Sequence, residues 1–294
     1  GKYKEAEGPT EKVVSLSKKA YGNEHRNTAN SLMNLANLAD SLGDYPRAQS
    51  LFSRVLEIQE RLLGPDHEET LLTKHQLGVS YRYTGDYSKA EPLLNQAFEG
   101  RLKQLGNSHP DTAIAMDSLG LLFVLTGNLS KAESLIKESL DICKKVLGQG
   151  HFRIGKNMGD LGRLRLAQGR LDEAENLIRS AMDNYGLTLG DSHPIYWYQM
   201  NFLGGVLYRK GLYTEAETLL RETLARQDEI HGPGHLYSYS TLSYLGNLLI
   251  DLGNTEEGSQ ILMKLINYSE ELLGVDNRFV EETRVHLERI QEGV

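Results

Sequence analysis

The chain has 294 residues, of which 24% are charged, and 40 Asp+Glu against 32 Lys+Arg give it a net charge of -8. It therefore lacks the overall basic footprint of a nucleic-acid or anionic-membrane binder. The single cysteine, Cys143, rules out an internal disulfide and predicts a reducing, cytoplasmic setting. Residues 1–12 carry no apolar signal-peptide core, and the longest apolar run, 119–125, is too short to span a bilayer.

Repetition governs the chain. Glycine recurs every 42 residues at 22, 64, 106, 148, 190, 232 and 274, and a second series runs 1, 43, 85, 127, 169, 211 and 253. Leucine keeps the same period at 35, 77, 119, 161, 203, 245 and 287. Alanine does so at 6, 48, 90, 132, 174 and 216, with Gly258 in the seventh place. Histidine follows at 25, 67, 109, 151, 193 and 235, with Asn277 completing the column.

In chain order, residues 1–22 read as an orphan helix B, worn at Gly8 and Pro9. Six helix pairs follow, at 23–64, 65–106, 107–148, 149–190, 191–232 and 233–274, and a terminal helix A covers 275–294. Within each pair, one glycine stops helix A with a left-handed cap and the other ends helix B. Pro110 and Pro194 fall where a first-turn proline is tolerated. No segment sustains the alternation of a strand. Gly1 is itself in register and no initiator methionine precedes it, so the chain is expected to be a piece of a longer protein cut at repeat boundaries.

The spacing of Leu35, Ala36, Ala48, Phe52 and Val55 resembles the tetratricopeptide repeat (TPR). Segments such as "GDYSKAEPLLNQAFEGRLKQLGNSHPDT" and "LGPDHEETLLTKHQLG" are similar to the 42-residue repeats of kinesin light chains, and similar long repeats form the sensor end of some signalling ATPases. The resemblance covers the whole chain. It implies an all-α fold, a right-handed α-solenoid of about 14 helices in a single array over 1–294. It also implies a concave groove lined by the A helices. In kinesin light chains, tryptophan-plus-acidic cargo peptides are held partly by the first asparagine of a helix-A "L-N-N-L-A". The matching positions here are Met33, His75, Asp117, Gly159, Asn201 and Ser243, and only Asn201 keeps the residue.

Catalytic signals are near misses. "GHFRIGKN" (150–157) has Asn157 where a P-loop needs Ser or Thr, and it falls in a turn between helices rather than after a strand. Equivalent histidines lie two helix layers apart, too far to share an ion, and are expected to cap or pack the inter-repeat turn. His231 and His235 are separated by a helix-breaking Gly-Pro-Gly. "NLS" (128–130) and "NYS" (267–269) are sequons by spelling only. No enzyme activity, metal or cofactor is expected.

The remaining question is "IYWYQMNF" (195–202), which holds Trp197, the only tryptophan. With Leu203 as the zero of a helical wheel at about 100° per residue, Tyr196, Met200, Leu203, Gly204 and Leu207 face the core. Tyr198, Asn201, Gly205 and Arg209 cluster on another face, and Trp197 falls on the border. The same offsets along the array give a candidate peptide-binding groove of Asn37, His75, Asp117, Lys156, Arg163, Tyr198, Asn201, Arg209 and Asn247. Its apolar middle, followed by Lys156, Arg163 and Arg209, suits a peptide or protein segment with bulky apolar and acidic residues. The expected function is a non-catalytic protein-interaction module that binds neither nucleic acid nor membrane; self-association stays open. The alternative is a regulatory or sensor repeat domain of a multidomain signalling ATPase, kinase or protease.

Overall fold

A computed structural model describes residues 2–148 and 150–273, together with positions 280, 281, 283–285, 287 and 288. Among the described residues the chain is built from helices, with no strand. An initial helix α1 (Lys2–Tyr21) is followed by alternating A and B helices. The A helices are α2 (Arg26–Ser41), α4 (Glu68–Tyr83), α6 (Pro110–Leu125), α8 (Phe152–Ala167), α10 (Pro194–Arg209) and α12 (Tyr239–Asp251). The B helices are α3 (Tyr45–Leu63), α5 (Tyr87–Leu105), α7 (Leu129–Leu147), α9 (Leu171–Thr188), α11 (Tyr213–His231) and α13 (Thr255–Leu273). A short 3-10 turn, Leu236–Ser238, leads into α12. Most of the expected terminal helix at 275–294 lies outside the described residues, as do Gly1, Gly274 and Asn277.

The repeat columns have physical jobs. Ala48, Ala90, Ala132, Ala174 and Ala216 are all 0% exposed. The large residues four further on, Phe52, Leu94, Ile136, Ile178 and Leu220, are buried as completely. They press onto the position just after the repeat leucine, which must therefore be small. A Cβ at Gly78, Gly162, Gly204 or Gly246 would lie 2.5–2.8 Å from Leu94, Ile178, Leu220 or Leu262, respectively. At these four positions the A helix meets its B helix along a glycine that lets a branched side chain touch backbone, and Ala36 holds the place in the first pair. The turn glycines adopt positive φ, as at Gly43 (80°) and Gly64 (92°), where a side chain would be strained.

The histidine column caps the A helices. The Nδ1 atoms of His25, His67, His109, His151, His193 and His235 each accept the backbone N–H two residues on, at 3.1–3.3 Å. Each imidazole satisfies a donor that the helix itself cannot. "GHFRIGKN" is therefore the capped start of α8, reached from α7 through a turn.

The chain divides into two compact units, Gly1–Leu122 and Phe123–Val294, and the dividing line falls within α6. In the first unit, Thr28, Thr70 and Thr112 tie the start of each A helix back to the carbonyl of the preceding turn glycine, at 2.7–2.9 Å. Asp44 and Asp86 cap α3 and α5 by accepting from the N–H of Arg47 and Lys89, both at 3.2 Å. In the second unit the corresponding residues of α9 and α11, Arg170 and Leu212, make no side-chain cap. Its core runs as one cluster through α8–α13, from Leu166 to Ile266, and takes in Val280 and Leu287.

Candidate peptide-binding faces

A register rule organises the faces of successive A helices. The residue two after the repeat leucine meets the residue one before the leucine of the next repeat. The pair is 39 residues apart: Gln76 Nε2 donates to Asn37 Oδ1 at 2.9 Å. The same step places the Arg163 guanidinium 4.4 Å from the centre of the Phe202 ring. It also lays the Tyr244 ring against Gly205, where a Cβ would lie 2.5 Å from the ring.

In the first unit this face is polar and internally bonded. Asn37 accepts from Gln76, and His75 Nε2 shares a 2.8 Å hydrogen bond with Ser118 Oγ. Asp117 is 3% exposed. Beside them Leu72 is exposed, which gives this face an apolar spot.

In the second unit the face is aromatic and cationic. Tyr198 of α10 makes an edge contact with Phe202 at 5.3 Å and a tilted one with Tyr237 at 5.2 Å. The Arg163 guanidinium covers Phe202 and reaches within 5.9 Å of the Tyr198 ring, so α8 and α10 are joined by cation–π contacts. Burial pushes the Tyr244 phenol up, and the Arg163 and Arg209 guanidiniums pull it back, which sets this hydroxyl in the field of both cations. Arg209 is exposed and donates to the Leu166 carbonyl at 2.7 Å, a favourable place for a cation because α8 ends there. Tyr208 donates to Asp251 at 2.5 Å.

Of the nine groove residues read from the sequence, the structure brings Arg163 to within 5.9 Å of the Tyr198 ring, and Arg163 and Arg209 both act electrostatically on the Tyr244 hydroxyl. Lys156 and Arg163 share the carboxylate of the buried Asp160, at 2.7 and 3.4 Å. Two of the three expected cations are thus already matched by an acid. Arg209 has no carboxylate partner among the described residues. Asn201 is 0% exposed, and neither atom of its amide has a hydrogen-bond partner among the described residues. Asn247 bonds along its own helix, to the Ser243 carbonyl at 2.7 Å. Trp197 turns toward α11, where Arg226 lies 5.7 Å from its ring.

Sequence reasoning missed Asp160, Phe202, Tyr244 and Tyr237. The first three stand one before the repeat leucine, at roughly 260° on the wheel and just outside the sector sampled. The signal was present: that column reads Asn34, Gln76, Ser118, Asp160 and then Phe202, Tyr244. Tyr237 sits in the 3-10 turn, which has no counterpart in the other pairs. The His231 and His235 rings stack at 4.5 Å with 21° between their planes. Burial pushes His231 down and takes His235 to about 4, with His231 adding to the effect on His235.

No curated protein sequence matches the chain. Profiles described as tetratricopeptide repeat match residues 1–59, 41–103, 125–186 and 195–271, and a second such profile matches 75–145 and 160–229. Among solved structures, the chain is similar to nearly identical TPR-like repeats of a candidate kinesin light chain from Podospora anserina, at 24% identity and TM-score 0.51, over 68% of this chain and 95% of that one. It is similar to BtubC (BKLC) from P. vanneervenii at 19% identity and TM-score 0.55, over 78% of this chain and 91% of that one. A Rap protein complexed with Competence and Sporulation Factor shares the fold at 11% identity and TM-score 0.68, over 97% of this chain and 79% of that one. Among the described residues no helix is long and apolar enough to cross a membrane. The chain belongs to the tetratricopeptide repeat family, whose repeats generally serve as protein–protein interaction modules.

Proposed function

We propose that the chain is a non-catalytic module that takes a peptide or protein segment on the exposed face of its A helices, with the second unit as the principal site. The observation that carries this reading is Asn201: an amide 0% exposed with both polar atoms unpartnered among the described residues. A buried amide left in that state costs free energy until something bonds to it. The amide is sealed in the free chain, so a peptide must displace the side chains that cover it, and its extended backbone then offers the matching donor and acceptor. Tyr198 supplies apolar contact nearby, backed by the buried Phe202, and Arg209 supplies a cation for one acidic group. The acidic demand is smaller than the cation count suggests, because Asp160 already holds Lys156 and Arg163. The reading as one array over 1–294 rests on the repeat register, which runs through the division at residue 122 without slippage.

A displayed random-peptide library, panned on this chain and on a Tyr198→Ala, Asn201→Ala, Arg209→Ala variant of unchanged circular dichroism, tests the site. Peptides with aromatic and acidic residues, retained by the parent and lost by the variant, are the expected result. Equal enrichment on both proteins would refute it. The sensor-domain reading is the runner-up. It draws support from the Rap structure, which holds Competence and Sporulation Factor on a fold shared with this chain.

A further inference from the structure

Helix α9 breaks the repeat on its outer surface at three positions. Leu187 stands in a column whose other members are Lys19, Arg61, Lys103, Lys145, Glu229 and Glu271, all charged and all exposed. Gly186 replaces Lys18, Glu60, Leu102, Lys144, Asp228 and Glu270. Ser180 replaces Lys12, Arg54, Gln96, Glu138, Glu222 and Lys264, every one a long polar side chain. The substitutions have a joint structural result. Leu187 is 90% exposed, more than any other large apolar residue described. Immediately beside it is a hollow of about 400 Å³, floored by Ile154 and Met158 of α8 and walled by Lys144, Ser180 and Asn184, with Leu187 on its lip. The Asn184 amide oxygen already accepts from the Gly155 N–H at 3.2 Å, so the hollow presents little unsatisfied polarity.

A fully exposed leucine beside an apolar hollow is a knob next to a hole. We propose that this surface of α7 and α9 pairs with the same surface of a second copy, each Leu187 entering the other's hollow about a two-fold axis. Knob and hole lie on one patch, so the patch is complementary to itself, which is what an isologous contact requires. The charges agree. Lys144 and Lys145 on α7 and Asp183 on α9 are exposed and make no ion pair within the chain among the described residues. A two-fold on the patch sets Lys144 and Lys145 of each copy, which share α7 with the exposed Glu138 and Asp141, opposite Asp183 of the other. This contact and the peptide site both touch α8 but use different residues of it, Ile154 and Met158 here against Lys156 and Arg163 there.

Sedimentation equilibrium of the chain from low micromolar to near-millimolar concentration, beside Leu187→Lys and Ser180→Arg, tests the pairing. Leu187→Lys restores the charge that the other repeats carry there and Ser180→Arg refills the hole with a residue that repeat 1 holds, so both are expected to fold. The parent is expected to show a monomer–dimer equilibrium. Leu187→Lys removes two knobs per dimer and should raise the dissociation constant about a hundredfold, roughly tenfold per knob; Ser180→Arg should weaken pairing in the same direction. A parent that stays monomeric throughout would overturn the proposal, and so would a dimer that both variants leave intact. Capture of an unrelated protein at this patch by a chain that remains monomeric would overturn it too.

Discussion

The two units use one backbone register to opposite chemical ends. In the first, the A helices are stitched by neutral hydrogen bonds, Asn37 to Gln76 and His75 to Ser118. In the second, the same geometric step carries Arg163 onto Phe202 and Tyr244 onto Gly205. The A–B packing beneath is alike in both, since Leu119 and Leu203 are each 3% exposed. A repeat fixes which columns meet across neighbouring helices and leaves the chemistry of the meeting to each copy. Stability is shared by the columns that face the B helix, and specificity is written in the column that faces the next A helix.

The largest effects test the shared part. Leu119→Ala and Leu203→Ala are each expected to cost about 2–5 kcal/mol in urea unfolding, the loss of a buried leucine plus its residual cavity. If one of the pair costs little, the two units do not rest on equivalent cores. Next in size is the point where they differ. Gly205→Val pushes a branched side chain into the Tyr244 ring, which lies 2.5 Å from where the Cβ would stand. The expected cost is about 1–3 kcal/mol from overpacking. The equivalent change in the first unit, Asn37→Ala, removes the partly exposed hydrogen bond to Gln76 and should cost about 0.5–1.5 kcal/mol. Trp197, the sole tryptophan, lies in the second unit, so its fluorescence reads that unit's unfolding while circular dichroism reads both.

What could be read from the sequence divides along the same line. The 42-residue columns placed the helices, the turn glycines and the capping histidines, because each is a local demand of a helix end or of a buried face. The contacts of Asp160, Phe202 and Tyr244 depend on how far one A helix is displaced against the next, a distance that no single-helix wheel contains. Trp197 shows the same limit. One wheel put it on a border, and the Arg226 side chain of α11 decides its side. Lys156 and Arg163 read as free cations until helix spacing is considered, since Asp160 sits four residues from one and three from the other.

The units are also expected to answer pH in opposite directions. In the first, burial pushes the Asp40 carboxyl up to about 6, against the pull of its Ser80 hydrogen bond and of Arg82. A raised carboxyl pKa gives stability that is fully present below the unfolded value of 3.8 and is lost as pH rises through about 6. In the second, burial holds His235 at about 4 against an unfolded value of 6.5. That stability is fully present above 6.5 and drains away as pH falls through about 4. Protonation also takes the Nδ1 lone pair that accepts the Tyr237 N–H, so the cap goes with it. Each effect is of order 1–3 kcal/mol. Between pH 6.5 and 4 the Trp197 transition should move to lower urea, and Asp40→Asn should flatten the opposing trend seen by circular dichroism. A Trp197 midpoint that rises on acidification would contradict the His235 assignment.

The smallest change separates the two faces most cleanly, because one column gives opposite signs. His75 and Asn201 occupy the same position in their repeats. His75 is bonded to Ser118, so His75→Ala strands a hydroxyl and should cost about 0.5–1.5 kcal/mol. Asn201 is buried with its amide unpartnered among the described residues, so Asn201→Ala removes polar atoms that contribute nothing to the chain alone. Its expected effect is within about 0.5 kcal/mol of zero, or stabilising. The same variant should bind library-derived peptides more weakly. A residue that folding does not need and binding does is the signature of a site, so a clearly destabilised Asn201→Ala with unchanged binding would return that asparagine to the core.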